Sequence, residues 1–311
     1  MNILVISGFL GAGKTTFIKA LASHTKKEFV ILENEYGEVG IDGDLFEEEK
    51  KESIINIWEL TEGCVCCSTQ EDFASSILTI ANTIDPEYLV VEPTGVGQLS
   101  RIIKRIQKIE YERIHLLAPI TIVDWRLYNK HMSDYREIYE DQIASASTIL
   151  NSHSETISSE EEEELRQKIQ QLNSKAQIIT GHYSKCEKEW WSHLLCHSFD
   201  GSLIKTSDAE LEGLENLGLT QIRLTSEVDL ILFLELVIRG VFGKIVRGKG
   251  ILQIGQNHLR FDVMDTNYTI TGIEKQGDSK AVFIGEHLRR NEIRKVLQQH
   301  MMFRTMGWAK D

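Results

Sequence analysis

Ile3-Leu4-Val5-Ile6-Ser7-Gly8-Phe9-Leu10-Gly11-Ala12-Gly13-Lys14-Thr15 decides how the first part of the chain is read. An apolar, β-branched run ends at Ser7, three glycines follow within six positions, and a helix-like stretch begins after Lys14. Glycines let backbone N–H groups wrap a phosphate chain, and the helix that follows aims its positive N-terminus at the same charge. The pattern assigns nucleotide binding to Gly8, Gly11, Ala12, Gly13, Lys14, Thr15 and Thr16. The Lys14 ammonium is expected to reach the β- and γ-phosphates, and the Thr15 hydroxyl to hold Mg²⁺.

Working outward, short and nearly continuous apolar runs recur at 3–7, 29–32, 54–59, 88–91 and 120–123, as buried parallel strands do. Helical stretches at 15–23, 71–84 and 99–109 lie between them. This alternation predicts an α/β fold with a doubly wound, mostly parallel sheet. Further helices are expected over 134–149 and 159–172, and a strand over 177–180. The five acids Glu160–Glu164 read as the first turn of a solvated helix, where they complement its dipole.

Residues 199–217 are polar, punctuated by Gly201 and Gly213, and read as a linker between a nucleotide domain (1–198) and a smaller α+β domain (218–311). There an apolar helix is expected over 228–239, with strands near 245–254, 259–264 and 281–284. A last helix is expected from Glu286.

The run Tyr88-Leu89-Val90-Val91-Glu92 ends on an acid, where a magnesium shell needs its second-strand carboxylate. Pro93-Thr94-Gly95 follows, and Gly95 would let a backbone N–H approach the γ-phosphate. Between the two nucleotide motifs lies Cys64-Val65-Cys66-Cys67. Three thiolates suit zinc, with Co²⁺ able to occupy the same tetrahedral geometry. Buried structural cysteines and a reactive or redox pair are the competing readings. A fourth ligand could come from Glu35, Glu38, a histidine such as His115 or His131, or a target protein. An open fourth position suits a site that releases its ion.

Taken together, Gly8–Thr15, Glu33-Asn34-Glu35-Tyr36-Gly37-Glu38, Glu62-Gly63-Cys64-Val65-Cys66-Cys67 and Glu92-Pro93-Thr94-Gly95 stand in the order and spacing of the CobW-type P-loop GTPases and metallochaperones. Arg247-Gly248-Lys249-Gly250 and Val282-Phe283-Ile284-Gly285 resemble landmarks of that family's C-terminal domain. The resemblance implies a GTP-hydrolysing enzyme using Mg²⁺, with Lys14, Thr15, Glu38 and Glu92 in catalytic roles. It implies a transition metal at Cys64, Cys66 and Cys67, with Glu35 and Glu38 contacting the metal or organising water. By the same resemblance, residues 33–42 form a switch loop placed by the γ-phosphate. The output would be metal delivery to, or activation of, a metal-requiring target protein.

One motif departs from the family. The base-reading stretch Asn-Lys-x-Asp corresponds here to Asn151-Ser152-His153-Ser154. Asn151 is retained as a base contact, but Ser cannot reproduce the charge-assisted bidentate bond of an Asp. Guanine discrimination should weaken by on the order of 1–3 kcal/mol, so ATP use is expected alongside GTP. Glu155 could substitute for the Asp if the loop shifts. A sensor or scaffold with vestigial hydrolysis is the alternative; a small-molecule kinase would leave the cysteines unexplained.

A second cluster, His182, Cys186, His193, Cys196 and His197, carries no familiar signature. Ser184 and Glu187 have capping-box spacing, which predicts a helix from about 185 to 197. Trp190, His193, Leu194 and His197 would share one face. That face either packs on the sheet or makes a second metal contact.

Composition is that of an ordinary soluble globular protein. Five cysteines with three clustered point to a cytoplasmic setting without a disulfide framework. The opening residues lack a signal-peptide pattern. Charge divides unevenly: residues 218–311 carry 14 Lys and Arg against 10 Asp and Glu, the first 217 residues 20 against 37. The acidic part disfavours nucleic acid or anionic membrane as a partner, while the basic C-terminal domain is the expected docking surface for an acidic one.

Overall fold

A computed structural model describes residues 1–33, 55–59, 70–152, 157–201, 214–264, 266–273 and 279–298. These fall into two compact units.

The first unit is a parallel sheet with helical crossovers. In chain order it holds β1 (Asn2–Gly8), α1 (Lys14–Thr25), β2 (Phe29–Glu33), β3 (Ile55–Glu59), α2 (Gln70–Thr83), β4 (Tyr88–Glu92) and α3 (Leu99–Gln107). There follow β5 (His115–Leu116), β6 (Ile120–Asp124), α4 (Tyr128–Asp134), α5 (Arg136–Ala144), β7 (Thr148–Ser152), α6 (Ser159–Leu172), β8 (Gln177–Ile179) and α7 (Lys188–His193). The strand order is β3-β2-β4-β1-β6-β7-β8, with β5 pairing beside β1. Every pairing is parallel. Ile3–Ile6 and Ile120–Val123 are buried because helices cover both faces, which is why these strands read as unbroken apolar runs. The strand order reverses at β1, so the crevice for a ligand opens at the carboxyl ends of β1, β4 and β6.

The second unit is antiparallel: β9 (Leu214–Thr220), α8 (Glu227–Ile238), β10 (Lys244–Ile254), β11 (Asn257–Met264), β12 (Asn267–Ile273), β13 (Lys280–Glu286) and α9 (Arg290–Gln298). Its sheet runs β12-β11-β10-β13-β9. Leu230, Phe233, Leu234 and Val237 of α8 share one core with Ile293, Val296 and Leu297 of α9 and the inward residues Leu217, Phe261 and Phe283 of the sheet. α9 buries one apolar face on the sheet, whereas α8 is apolar beyond its buried face and leaves Val228, Ile231 and Leu232 exposed.

Four sequence readings are corrected. The helix expected over 134–149 is two helices, α4 and α5, followed by β7; Thr148–Leu150 pairs with both β6 and β8, and such a short buried run has no periodicity of its own. The stretch expected as a linker contains the start of β9, because Leu214–Thr220 pairs with β13 along its whole length. Glu286 closes β13, and the last helix starts at Arg290 instead. The helix expected over 185–197 is a single 3-10 turn, Tyr183–Lys185, and then α7, because the Ser184 N–H donates to His182 Nδ1 in place of forming a capping box. A capping box does form at Ser158 and Glu161, ahead of α6 with its acidic first turn. Among the described residues no helix is long and apolar enough to cross a membrane.

Candidate nucleotide and metal site

The loop after β1 is shaped by its glycines. Gly13 precedes α1 with φ 92°, a left-handed conformation that side chains avoid. It provides no side-chain cap, and the first turn of α1 holds no acid. The positive end of the helix is therefore left for an anion. Gly95, after β4, is fixed by space: a Cβ there would stand 2.4 Å from the backbone nitrogen of Leu10. The two loops that would flank a γ-phosphate are packed backbone to backbone.

Lys14, Thr15 and Glu92 converge at this edge. The Lys14 ammonium donates to the Gly8 carbonyl at 3.2 Å and lies 3.9 Å from Glu92 Oε1. The Thr15 hydroxyl sits 3.3 Å from both Glu92 carboxylate oxygens. Lys14 is 8% exposed and Glu92 12%, so the charges face each other with little water between them. A hydroxyl and a carboxylate at this separation are the donor set that Mg²⁺ uses in nucleotide sites.

Asn151 ends in the same region, on β7 beside Ser152, whose Cβ lies 4.0 Å from where a Gly13 Cβ would stand. It is fully buried, and neither its amide nitrogen nor its oxygen has a partner among the described residues. An unmet buried amide costs about 1–3 kcal/mol, which a polar ligand edge would recover. The donor set therefore fits a nucleotide with Mg²⁺.

Three supports escaped sequence reasoning. Gln142 on α5 donates to the carbonyls of Gly95 at 3.0 Å and Gly97 at 2.9 Å, pinning the loop after Glu92. Its neighbour Asp141 accepts from the Ser100 backbone N–H and hydroxyl, capping the start of α3. Little in the sequence signals them, because Asp141 and Gln142 follow Glu140 in an unbroken polar run between Tyr139 and Ile143. Phe9, a free choice in the loop pattern, meets His131 at a tilt with centroids 4.3 Å apart and also meets Tyr135 and Tyr139.

His131 is thereby buried, and burial pushes its pKa down to about 4, against the pull of Asp124 and Asp134. The unfolded chain, with a histidine near 6.5, binds this proton first. Stability should fall as pH drops from about 6.5 toward 4, by up to about 3 kcal/mol from this residue. Urea unfolding across that range checks it: His131→Phe should flatten the acid slope, and an unchanged slope would contradict the assignment.

The metal residues fare differently. Cys64, Cys66, Cys67, Glu35 and Glu38 lie outside the described residues, as do His153, Ser154 and Glu155. Glu33, the last residue of β2, pairs with both Glu59, the last of β3, and Glu92, so the two described residues that precede 34–54 and 60–69 in the chain end their strands level with Glu92. Of the rival ligands, His115 is exposed on β5 and His131 is enclosed by aromatic rings. Among the described residues no three His, Cys, Asp or Glu form a metal-holding group. The five residues do not close as one group: His182 turns to Ser184 at 2.7 Å and stacks on Tyr183, while His193 and His197 meet each other.

Compared with known families, residues 2–180 match the CobW/HypB/UreG nucleotide-binding domain. The chain belongs to the CobW/HypB/UreG family. Residues 220–301 match the family's second module, the cobalamin synthesis protein cobW C-terminal domain. Among curated members, the zinc chaperone YeiR of Escherichia coli is 34% identical over 194 residues, which cover 61% of this chain and 57% of YeiR. The zinc chaperone CobW of Pseudomonas aeruginosa is 26% identical over 189 residues, 51% of this chain and 50% of its own. The chain thus spans little more than half the length of these two. The zinc chaperone YjiA of Escherichia coli is matched nearly end to end, 26% identical with 94% of this chain and 96% of YjiA covered. All four nucleotide-domain stretches that carry the family resemblance fall within residues 2–180.

Proposed function

We propose that this chain is a Mg²⁺-dependent GTPase of the cytoplasm that holds Zn²⁺ or Co²⁺ at Cys64, Cys66 and Cys67 and couples hydrolysis to release of the ion to a metal-requiring protein. The observation that carries the reading is the shared sheet edge. Glu33 and Glu59, which directly precede residues 34–54 and 60–69 in the chain, end their strands in register with Glu92 of the Lys14–Thr15–Glu92 constellation. The zinc-chaperone relatives support the choice of cargo.

In this reading Gly8, Gly11, Ala12, Gly13 and Thr16 cradle the phosphates, Gly95 approaches the γ-phosphate, and Asn151 meets the base. Thr15 and Glu92 hold Mg²⁺, which would neutralise charge on the phosphate oxygens. Lys14 carries the remaining charge, and Glu38 organises the water. Catalysis is then positioning plus charge neutralisation, with intrinsic turnover on the order of 10⁻⁴ to 10⁻² s⁻¹. The C-terminal unit, basic overall, would receive an acidic target. Loss of Lys and Asp from the base motif supports a GTP preference below about a hundredfold over ATP. The same loss is the one observation favouring a sensor with vestigial hydrolysis.

Metal analysis tests the cargo site. Cys64→Ala, Cys66→Ala and Cys67→Ala combined should remove one equivalent of zinc from the purified chain while phosphate release persists. Zinc content equal to that of the unaltered chain would refute the thiolate site.

A further inference from the structure

His193 and His197 make a contact that neither packing nor the nucleotide site explains. His193 ends α7, and His197 follows one turn later; both side chains are exposed. His193 Nδ1 and His197 Nε2 lie 2.9 Å apart, with the rings nearly perpendicular at 82°. One ring donates its N–H, and the other accepts it on a lone pair.

The turn that holds them is fixed from within. Leu194 and Leu195 between them are buried, Cys196 N–H donates to the His193 carbonyl, and Ala118 N–H donates to the His197 carbonyl at 2.8 Å. The bond to Ala118 and the bridge between Leu117 and Ser198 tie this turn to the edge where β6 enters the sheet. That is the end opposite Lys14, Thr15 and Glu92, at the carboxyl ends of the strands. Two imidazoles on rigid elements present their nitrogens with little ordering cost left.

At 2.9 Å the two nitrogens stand at hydrogen-bond distance, and a small rotation of the exposed rings would bring both lone pairs onto one ion at metal–nitrogen bonds of about 2.0–2.1 Å. Cis imidazole pairs at 90° belong to square-planar or octahedral ions, and nitrogen sites bind Cu²⁺ and Ni²⁺ above the earlier divalent metals. The Cys196 thiol is turned back to the Ser192 carbonyl at 3.3 Å, so it does not complete a thiolate set.

We propose that His193 Nδ1 and His197 Nε2 form a bidentate surface site for Cu²⁺ or Ni²⁺, with water completing the shell. On binding, the donor ring moves its proton to its other nitrogen, a tautomer change that solvent exchange supplies at an exposed ring. The site is independent of the cysteine reading and sits at the other end of the sheet.

The test uses the full chain carrying Cys64→Ala, Cys66→Ala and Cys67→Ala, so that the thiolates neither mask nor mimic the pair. Calorimetric titration with Ni²⁺ should give one ion per chain. Affinity should fall at least about tenfold in His197→Ala and again in His193→Ala alone, since each loses the chelate, and should not fall in Cys196→Ala. Unchanged Ni²⁺ binding in His197→Ala overturns the proposal. Should an alanine variant misfold, substoichiometric Cu²⁺ added to the cysteine-free parent decides the question by imidazole NMR. His193 and His197 signals should broaden first; earlier broadening of His115 or His182 overturns it.

Discussion

Lys14→Ala is expected to lower GTP hydrolysis by about a hundred- to a thousandfold. The ammonium sits on the loop carbonyl of Gly8 and 3.9 Å from the Glu92 carboxylate, at a point with only 8% exposure. A charge held there before the reaction acts in a poorly solvated site, where it is worth more than in water. Its loss also leaves Glu92 facing the phosphates with one positive group fewer. Single-turnover phosphate release is the measurement of choice for an enzyme with the slow turnover proposed above. Release equal to that of the unaltered chain would defeat the enzyme reading and leave the sensor.

Gly95→Ala is expected to damage nucleotide binding through geometry alone. The added Cβ would stand 2.4 Å from Leu10 N and 2.7 Å from Leu10 Cα, and neither loop can yield without moving the phosphate cradle. Gln142 resists the shift from the other side by holding the carbonyls of Gly95 and Gly97. Overpacking of this kind costs about 1–3 kcal/mol. GTP affinity should drop by about ten- to a hundredfold, and the melting temperature should fall with it. Gly272→Ala is the control, since its Cβ would meet nothing within 4 Å. Equal GTP affinity in Gly95→Ala and the parent chain would show that this loop is not part of the nucleotide site.

Much of the sheet was legible because buried parallel strands leave an unmistakable trace. Ile3–Ser7, Phe29–Leu32 and Tyr88–Val91 are apolar at nearly every position, and a glycine-rich turn follows the first. Thr148–Ser152 was hidden because it is short and preceded by Ala144-Ser145-Ala146-Ser147, which contains no Gly, Pro or Asn to mark the end of a helix. Asn267–Ile273 was hidden for the opposite reason: in it only Tyr268 and Ile270 pack against the core, Asn267, Thr269, Thr271 and Gly272 are exposed, and Ile273 is half-buried. In the site, Lys14, Thr15 and Glu92 announced themselves by spacing, since a phosphate and its magnesium demand those groups at those places. Gln142, Asp141 and the Phe9–His131 pair did not. They act by tertiary contact, which leaves no mark on local sequence. The histidine cluster was half legible: His193 and His197 have helical spacing, but the chain ends its helix at His193 and closes the pair with a tighter turn.

Nucleotide state is proposed to set metal affinity through residues 34–54 and 60–69, which follow Glu33 and Glu59 in the chain. The most direct measurement is the zinc dissociation constant of the full chain, obtained by chelator competition, with Mg²⁺ and a non-hydrolysable GTP analogue and again with Mg²⁺ and GDP. The account predicts constants that differ by about tenfold or more, a difference that disappears when Cys64, Cys66 and Cys67 are replaced by Ala. Equal constants in the two nucleotide states would contradict it.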